Sequence, residues 1–386
     1  MTNKFNSRLL YASLIFLLIF FLIGWGFISS RVNLAAIVSP SGAVIAQLPA
    51  GFQAQVFMSG LKQPRFITFD SNGVLYVAER ANNRIVSLPD TNHDGVADSV
   101  KVFAEDIETP HSLVQYKGAW YVGVPTGVIK LEDTNNDGIA DKRTVLIDNY
   151  PTIVHNTRTV LFLPDGRMVV SIGSGCNVCD EIDPRRGGIV VYDNEKATGE
   201  KIFAHGLRNA VGLTLHPGTG ELWATNNGRD LMGDDLPPDT VYIIKEGLNY
   251  GWPRCHSGTI IDPEMGAPDS CKGVEQPIIQ MQAHSAPLGL TFYNGKNFPV
   301  EYQGSLFIAL HGSWNRSVPT GYKVIRVPFK DGKPLPAQDF FSGFLDDKKG
   351  EASGRPVGLA VSPDGSLFVS DDKGGFIYRI SYTPSK

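Results

Sequence analysis

RPVGLAVSPDGSLFVSD, residues 355–371, holds two apolar stretches of alternating side chains around SPDG, a turn whose glycine supplies the positive φ of a tight reversal. It reads as a β-hairpin. Five other stretches repeat the pattern: PRFITFDSNGVLYVAE from Pro64, PHSLVQYKGAWYVGV from Pro110, NTRTVLFLPDGRMVVSI from Asn156, NAVGLTLHPGTGELWAT from Asn209 and APLGLTFYNGKNFPVEYQGSLFIAL from Ala286. Each is followed by a third apolar strand: NRIVSLPD, GVIKLED, GGIVVYD, DTVYIIKEG, YKVIRVPF and, last, FIYRISY. A small antiparallel sheet cannot bury both of its faces alone, whereas radial stacking covers the faces and shortens the exposed edges. The repeats therefore predict an all-β, six-bladed β-propeller over residues 51–386, with no helix of note inside it.

Composition agrees with a turn-rich β protein: Gly at 41, Pro at 25 and only 19% charged residues. The net charge of -4 and the lack of basic runs argue against a nucleic-acid partner, which needs clustered Lys and Arg to displace counterions.

The N-terminus is of another kind. Residues 9–29, LLYASLIFLLIFFLIGWGFIS, carry no charge and are long enough to cross a bilayer as a helix. Lys4 and Arg8 precede this stretch and only Arg31 follows closely, which leaves the N-terminus in the cytoplasm and the rest outside. The expected organisation is a cytoplasmic stub and transmembrane helix over 1–31, a tether over 32–50 and the propeller over 51–386, displayed on the extracytoplasmic side. A cleaved signal peptide is the alternative, and it exports the propeller equally. Four cysteines suit an oxidising compartment, and local pairing gives Cys176–Cys179 and Cys255–Cys271 among three possible connectivities. A redox-active dithiol at 176–179 is the competing reading, without the strand-then-helix context such motifs have.

Two loops, DTNHDGVAD from Asp90 and DTNNDGIAD from Asp133, place oxygen ligands at alternate positions, as a calcium loop does. Asp90, Asn92, Asp94 and Asp98, with Asp133, Asn135, Asp137 and Asp141, are candidate structural calcium ligands; simple Asx turns are the other reading. In NNGRDLMGDDLPPD, residues 226–239, the carbonyls of Gly228 and Arg229 and several carboxylates form either a calcium loop or an acidic surface loop. His155, Arg208, Asn209, His284, His311 and Arg355 lie where blades begin or strands end, so they converge on the central channel. Several basic groups around one channel imply an anionic ligand, and the arginine fork matches a planar polycarboxylate.

HNTRTVLFLPDG, GSGCNVCDEIDPRRGG, AHGLRNAVGLTLHP, NNGRDLMGDDLPPD, GLNYGWP, LHGSWNRS and GRPVGLAVSPDGSLFVSD, in this order, resemble the soluble quinoprotein sugar dehydrogenases, particularly their sorbosone dehydrogenase-like branch. The resemblance spans Gly51 to Tyr382. It implies a six-bladed propeller holding pyrroloquinoline quinone (PQQ) at the channel mouth with calcium on the cofactor, and oxidation of a sugar or related alcohol by hydride transfer to the quinone. His155 then takes the hydroxyl proton of the substrate, Arg208 polarises the quinone carbonyl, and Asn209 holds the same edge. Gly228 and Arg229 offer calcium their carbonyls, and Arg355 pairs with cofactor carboxylates. His284, His311 and Arg316 join the cofactor set by the same alignment, with His111 nearby. Three positions depart from the glucose-oxidising pattern: His311 stands for a lysine, Val154 for the acidic residue before the base, and Arg229 for a proline. The electron acceptor implied is a quinone or cytochrome near the membrane. A calcium-dependent, lactonase-like hydrolase and a non-catalytic binding module are the competing functions, the first needing carboxylate or Asn side chains at the blade starts.

Overall fold

The computed structural model describes residues 32–39, 42–346 and 348–384. The expected cytoplasmic stub and transmembrane helix lie outside these residues. Among the described residues no helix is long and apolar enough to cross a membrane, and the only helical elements are 3-10 turns at Arg80–Asn82 and Val300–Tyr302.

Six four-stranded antiparallel sheets follow one another, the first five each running from inner to outer strand in chain order. The inner strands are Pro64–Phe69, Ser112–Tyr116, Val160–Phe162, Leu213–Leu215, Pro287–Phe292 and Pro356–Val361. These are the first halves of the hairpins read from sequence, and the predicted third strands follow the second in every blade. The sixth blade takes its outer strand from the other end of the chain: Phe52–Met58 pairs with Phe376–Tyr382, Phe52 opposite Tyr382. Closure in this manner leaves no gap between the first and last blades.

Apolar side chains gather between neighbouring blades, giving six main interfacial cores. The core between the fifth and sixth blades is aromatic, and Phe52 sits edge-on to Phe298, Tyr302, Phe340 and Tyr382. Phe52→Ala is expected to cost about 3–5 kcal/mol of stability, measured by chemical denaturation, because the cavity opens at the closure itself.

Around the axis the inner strands lie too close for side chains at certain points. In NAVGL, APLGL and RPVGL, a Cβ on Gly212, Gly289 or Gly358 would strike the carbonyl of the next blade's Leu288, Val357 or Arg65. Hydroxyls lace the same contacts: Thr225 Oγ1 donates to Leu288 O at 2.8 Å, and Ser112 Oγ to Arg158 O at 2.8 Å. Val211, Leu288 and Val357 form a small apolar cluster with Phe66 against it.

Within residues 32–50, expected to be a tether, the strands Val32–Ser39 and Gly42–Pro49 pair antiparallel. The second strand docks on the fifth blade, with Gln47 N to Ser342 O at 2.8 Å and Ser342 N to Gln47 O at 3.0 Å. Ala46 and Leu48 alternate into the fifth–sixth core, which gives this stretch its β structure.

Candidate active site in the channel

In an antiparallel blade the loops joining strands two to three, and blade to blade, share one end of the propeller; the remaining loops share the other. His155, Arg208, Asn209 and His284 lie on connections between blades, and His311 and the Asn226–Asp239 loop follow second strands. All lie at one end. The two DxNxDGxxD loops join third to fourth strands and therefore lie at the opposite end. There Asp90 accepts from the backbone N–H of Asp94 and Gly95, and Asp133 from Asp137 and Gly138. Asp98 and Asp141 accept from Thr91 and Thr134, and Asn92 and Asn135 accept from the N–H of Asp94 and Asp137. These backbone bonds have the pattern of Asx turns at both loops.

Two cavities open at the channel end and meet at Asn209. The smaller, about 160 Å³, is lined by His155, Arg208, Asp230, His284 and Asn315 among others. The larger, about 880 Å³, contains Lys62, Arg65, Arg80, His311, Arg355 and Lys373, with Val211 and Leu288 among its apolar walls.

His155 places Nδ1 3.0 Å from Ser174 O and 2.9 Å from Ser174 Oγ, whose own proton goes to Cys176 O at 2.7 Å. Only Ser174's oxygens face Nδ1, so that nitrogen carries the hydrogen and Nε2 keeps its lone pair. Burial, then the Arg208 charge, lower the imidazole pKa to about 4 and keep it neutral. Arg208 is buried and spends its fork on Asn177 O at 3.1 Å, Asn177 Oδ1 at 3.0 Å, Gly228 O at 2.8 Å and Asp230 at 2.6 Å. Its burial lowers the guanidinium pKa, against which Asp230 acts. His284 contacts Gly233 O at 2.9 Å and lies 3.9 Å from Asp230. Asp239, fully buried, holds Gly228 N at 2.7 Å and Ala286 N at 2.9 Å, and burial raises its pKa to about 6.

In the larger cavity His311 donates Nε2–H to Asp372 at 2.9 Å, and Asp372 also pairs with Arg65 at 2.6 Å. Burial holds His311 neutral, its pKa lowered to about 4, while these partners keep Asp372 ionised with a pKa lowered to about 2 despite its own burial. Arg355 is anchored through Nε and Nη2 to the carbonyls of His311 and Gly312, at 2.9 Å each. Lys62, Arg80, Arg355 and Lys373 have no carboxylate partner among the described residues, so this chamber carries unneutralised positive charge. Arg65, Arg80, Lys62 and Lys373 were not singled out from sequence, although Arg65 stands one residue into the first hairpin, after Pro64.

Other expected residues lie elsewhere. Arg316 binds Asp234 O and Asp235 on the neighbouring rim loop and lines neither cavity. The Arg229 side chain turns away to Asp262 and Glu264, with His256 also on Asp262. His111 is buried behind the channel against Arg65 at 3.4 Å, and burial holds its pKa well below the usual value.

The donor set can be tested against a hard cation. Asn227 Oδ1 and Asn315 Oδ1 are buried without partners among the described residues, and they line the smaller cavity together with Asp230 and Gly228. Unpartnered acceptor oxygens beside a carboxylate fit calcium. Gly228 O already accepts from Arg208, so it has one lone pair left to give. The uncompensated cations of the larger cavity likewise fit a polycarboxylate quinone.

The TrAA12-like family model matches residues 46–383. The chain belongs to the TrAA12-like family. An uncharacterized protein of Borreliella burgdorferi is 30% identical over 87% of this chain and 90% of its own length. The pyrroloquinoline quinone-dependent pyranose dehydrogenase of Coprinopsis cinerea is 26% identical over 86% of this chain, which spans only 54% of that enzyme. Among solved structures, a calcium structure of Trichoderma reesei Carbohydrate-Active Enzymes Family AA12 superposes with a TM-score of 0.78 at 22% identity, covering 91% of this chain and 99% of that one. This last likeness speaks for the propeller. The match to the TrAA12-like family supports the quinoprotein resemblance and singles out no sorbosone-oxidising branch.

Proposed function

We propose that the chain is a quinone-dependent sugar dehydrogenase, oxidising a CH–OH group of a sugar or related small molecule with PQQ and calcium. The observation that carries this reading is the pairing of a neutral, buried imidazole at His155 with a chamber of unpaired cations that meets it at Asn209. The Coprinopsis relative, named for this quinone and for a pyranose, supports it. When bound, the quinone supplies the two-electron acceptor that the side chains lack.

The residues present divide the remaining work. Arg355, Lys62 and Arg80 would hold carboxylates, and Asn209 would hold the edge nearest His155. Asn227, Asp230, Asn315 and the Gly228 carbonyl would hold calcium. His155 Nε2 takes the proton of the substrate hydroxyl, while its Nδ1–H stays on Ser174. Arg208 offers fixed positive charge where electron density accumulates. Trp314, 71% exposed on the rim of the smaller cavity, gives the substrate an apolar wall.

A base that must be neutral gives kcat/KM an acid limb. Protonation of His155 abolishes proton abstraction, so activity falls as pH drops through its pKa, and the lowered value puts that limb below the ordinary imidazole range, toward about 4. A pH–rate profile of the reconstituted enzyme checks this; a limb at or above the ordinary imidazole pKa would point to another base.

The hydrolase reading needs several carboxylate or Asn side chains where the blades begin, and those positions supply His155, Arg208, His284 and Arg355 instead.

We further infer an extracytoplasmic location with the propeller held near a membrane, where a quinone or cytochrome receives the electrons. Two disulfides, Cys176–Cys179 and Cys255–Cys271, and the uncharged stretch at residues 9–29 support it. The test of function is to add calcium and PQQ to the purified full chain and assay dye reduction over a sugar panel. Absence of both a quinone absorption band and any turnover would overturn the reading.

A further inference from the structure

We propose that Asn177, held in the ring closed by the Cys176–Cys179 disulfide, is a positioning residue that fixes Arg208 and the Asn226–Asp239 loop against the His155 base. The proposal rests on the function argued above. Its observations are hydrogen bonds between loops of the third and fourth blades.

The carboxamide of Asn177 pairs with the main chain of Asp230 in both directions, Nδ2 donating to Asp230 O at 3.0 Å and Asp230 N donating to Oδ1 at 2.9 Å. The same Oδ1 accepts from Arg208 Nη2 at 3.0 Å. The Asn177 main-chain oxygen accepts from Arg208 Nε at 3.1 Å and from Trp252 Nε1 at 3.1 Å. One residue thus sets both the guanidinium and the backbone of the loop that carries Gly228 and Asp230.

The base is tied to the same short segment. Ser174 holds His155 Nδ1, donates through Oγ to Cys176 O at 2.7 Å, and through its N–H to Arg208 O at 2.8 Å. Residues 174–177 therefore link proton acceptor and cation in fixed relation.

Asparagine suits the position because its planar amide presents a donor and an acceptor side by side, as a main-chain pairing needs. Aspartate lacks the donor, glutamine is one methylene too long, and alanine has neither. The segment belongs to no strand ladder, so the four-residue covalent ring closed by the disulfide restrains the Asn177 carbonyl together with its bonds from Arg208 and Trp252.

The experiment compares the full chain with Asn177→Ala and with the double variant Cys176→Ser/Cys179→Ser. In cofactor-free protein, NMR measures solvent exchange at Arg208 Nε–H. In the presence of calcium, the quinone absorption band measures PQQ affinity, and thermal midpoints report stability. Slow exchange is expected in the wild type, with faster exchange and roughly tenfold or weaker quinone binding in both variants, since bonds to a charged group are lost. Midpoints should remain within a few degrees of wild type, and kcat should fall more than KM rises. Fast exchange in the wild type, or wild-type quinone affinity in Asn177→Ala, would overturn the proposal. A collapse of the midpoint in both variants would make the ring a folding scaffold and overturn it too. If the wild type binds no quinone, the dehydrogenase reading fails, and the exchange measurement alone decides the role of Asn177.

Discussion

His155→Ala is expected to lower kcat by roughly 10²–10⁴-fold, the usual worth of a positioned general base, while leaving PQQ affinity near that of the wild type. Among the described residues the imidazole has no carboxylate partner and spends only Nδ1, on Ser174, so its removal orphans no buried charge. Stability should therefore change little, and stopped-flow dye reduction at saturating sugar isolates the chemical step. Retained turnover would mean that the proton leaves by another route, and Asp239, with its pKa raised to about 6, would be the next candidate.

Arg208→Ala should be damaging in two ways at once. Losing fixed charge at the reacting centre costs roughly 10²–10³-fold in kcat by analogy with other electrostatic stabilisers. Truncation also strands Asp230 and the carbonyls of Asn177 and Gly228, and breaking a mostly buried ion pair costs about 3–5 kcal/mol in stability. Denaturant unfolding with and without calcium separates the two effects. Arg208→Lys keeps a charge but cannot reach all four acceptors, so it should fall between wild type and alanine in both measurements. A lysine variant as active as wild type would remove the geometric part of this account.

How far the sequence led depended on the range of the contacts involved. The six hairpins and their third strands were legible because period-two alternation and glycine turns are local signals. The outer strands were missed: Lys201–His205 and Lys142–Ile147 are largely exposed and show little alternation. The docking of residues 42–49 was hidden for a different reason, since it depends on Ser342 far along the chain. His155, Arg208, Asn209 and His284 were found and do share one cavity. Asn177, Asn227 and Asn315 were not, because amides in irregular loops carry no periodicity and the Asp230 partner of Asn177 and Asn315 lies 53 and 85 residues away. Arg229 illustrates the reverse error of attention: its side chain serves the buried Asp262, and only its main chain remains relevant to the channel.

The strand Phe52–Met58 has a consequence for how the protein comes to be. It must wait for Phe376–Tyr382, nearly the whole propeller later in the chain, before it can pair. A nascent chain therefore carries an open sheet edge and half of the Phe52 aromatic cluster through most of its synthesis. Contacts of such sequence separation make folding slow, and assembly of the ring becomes a single late event rather than a series of independent blades. A protease present during refolding should accordingly cut anywhere along the chain until the two ends meet, and almost nowhere afterwards.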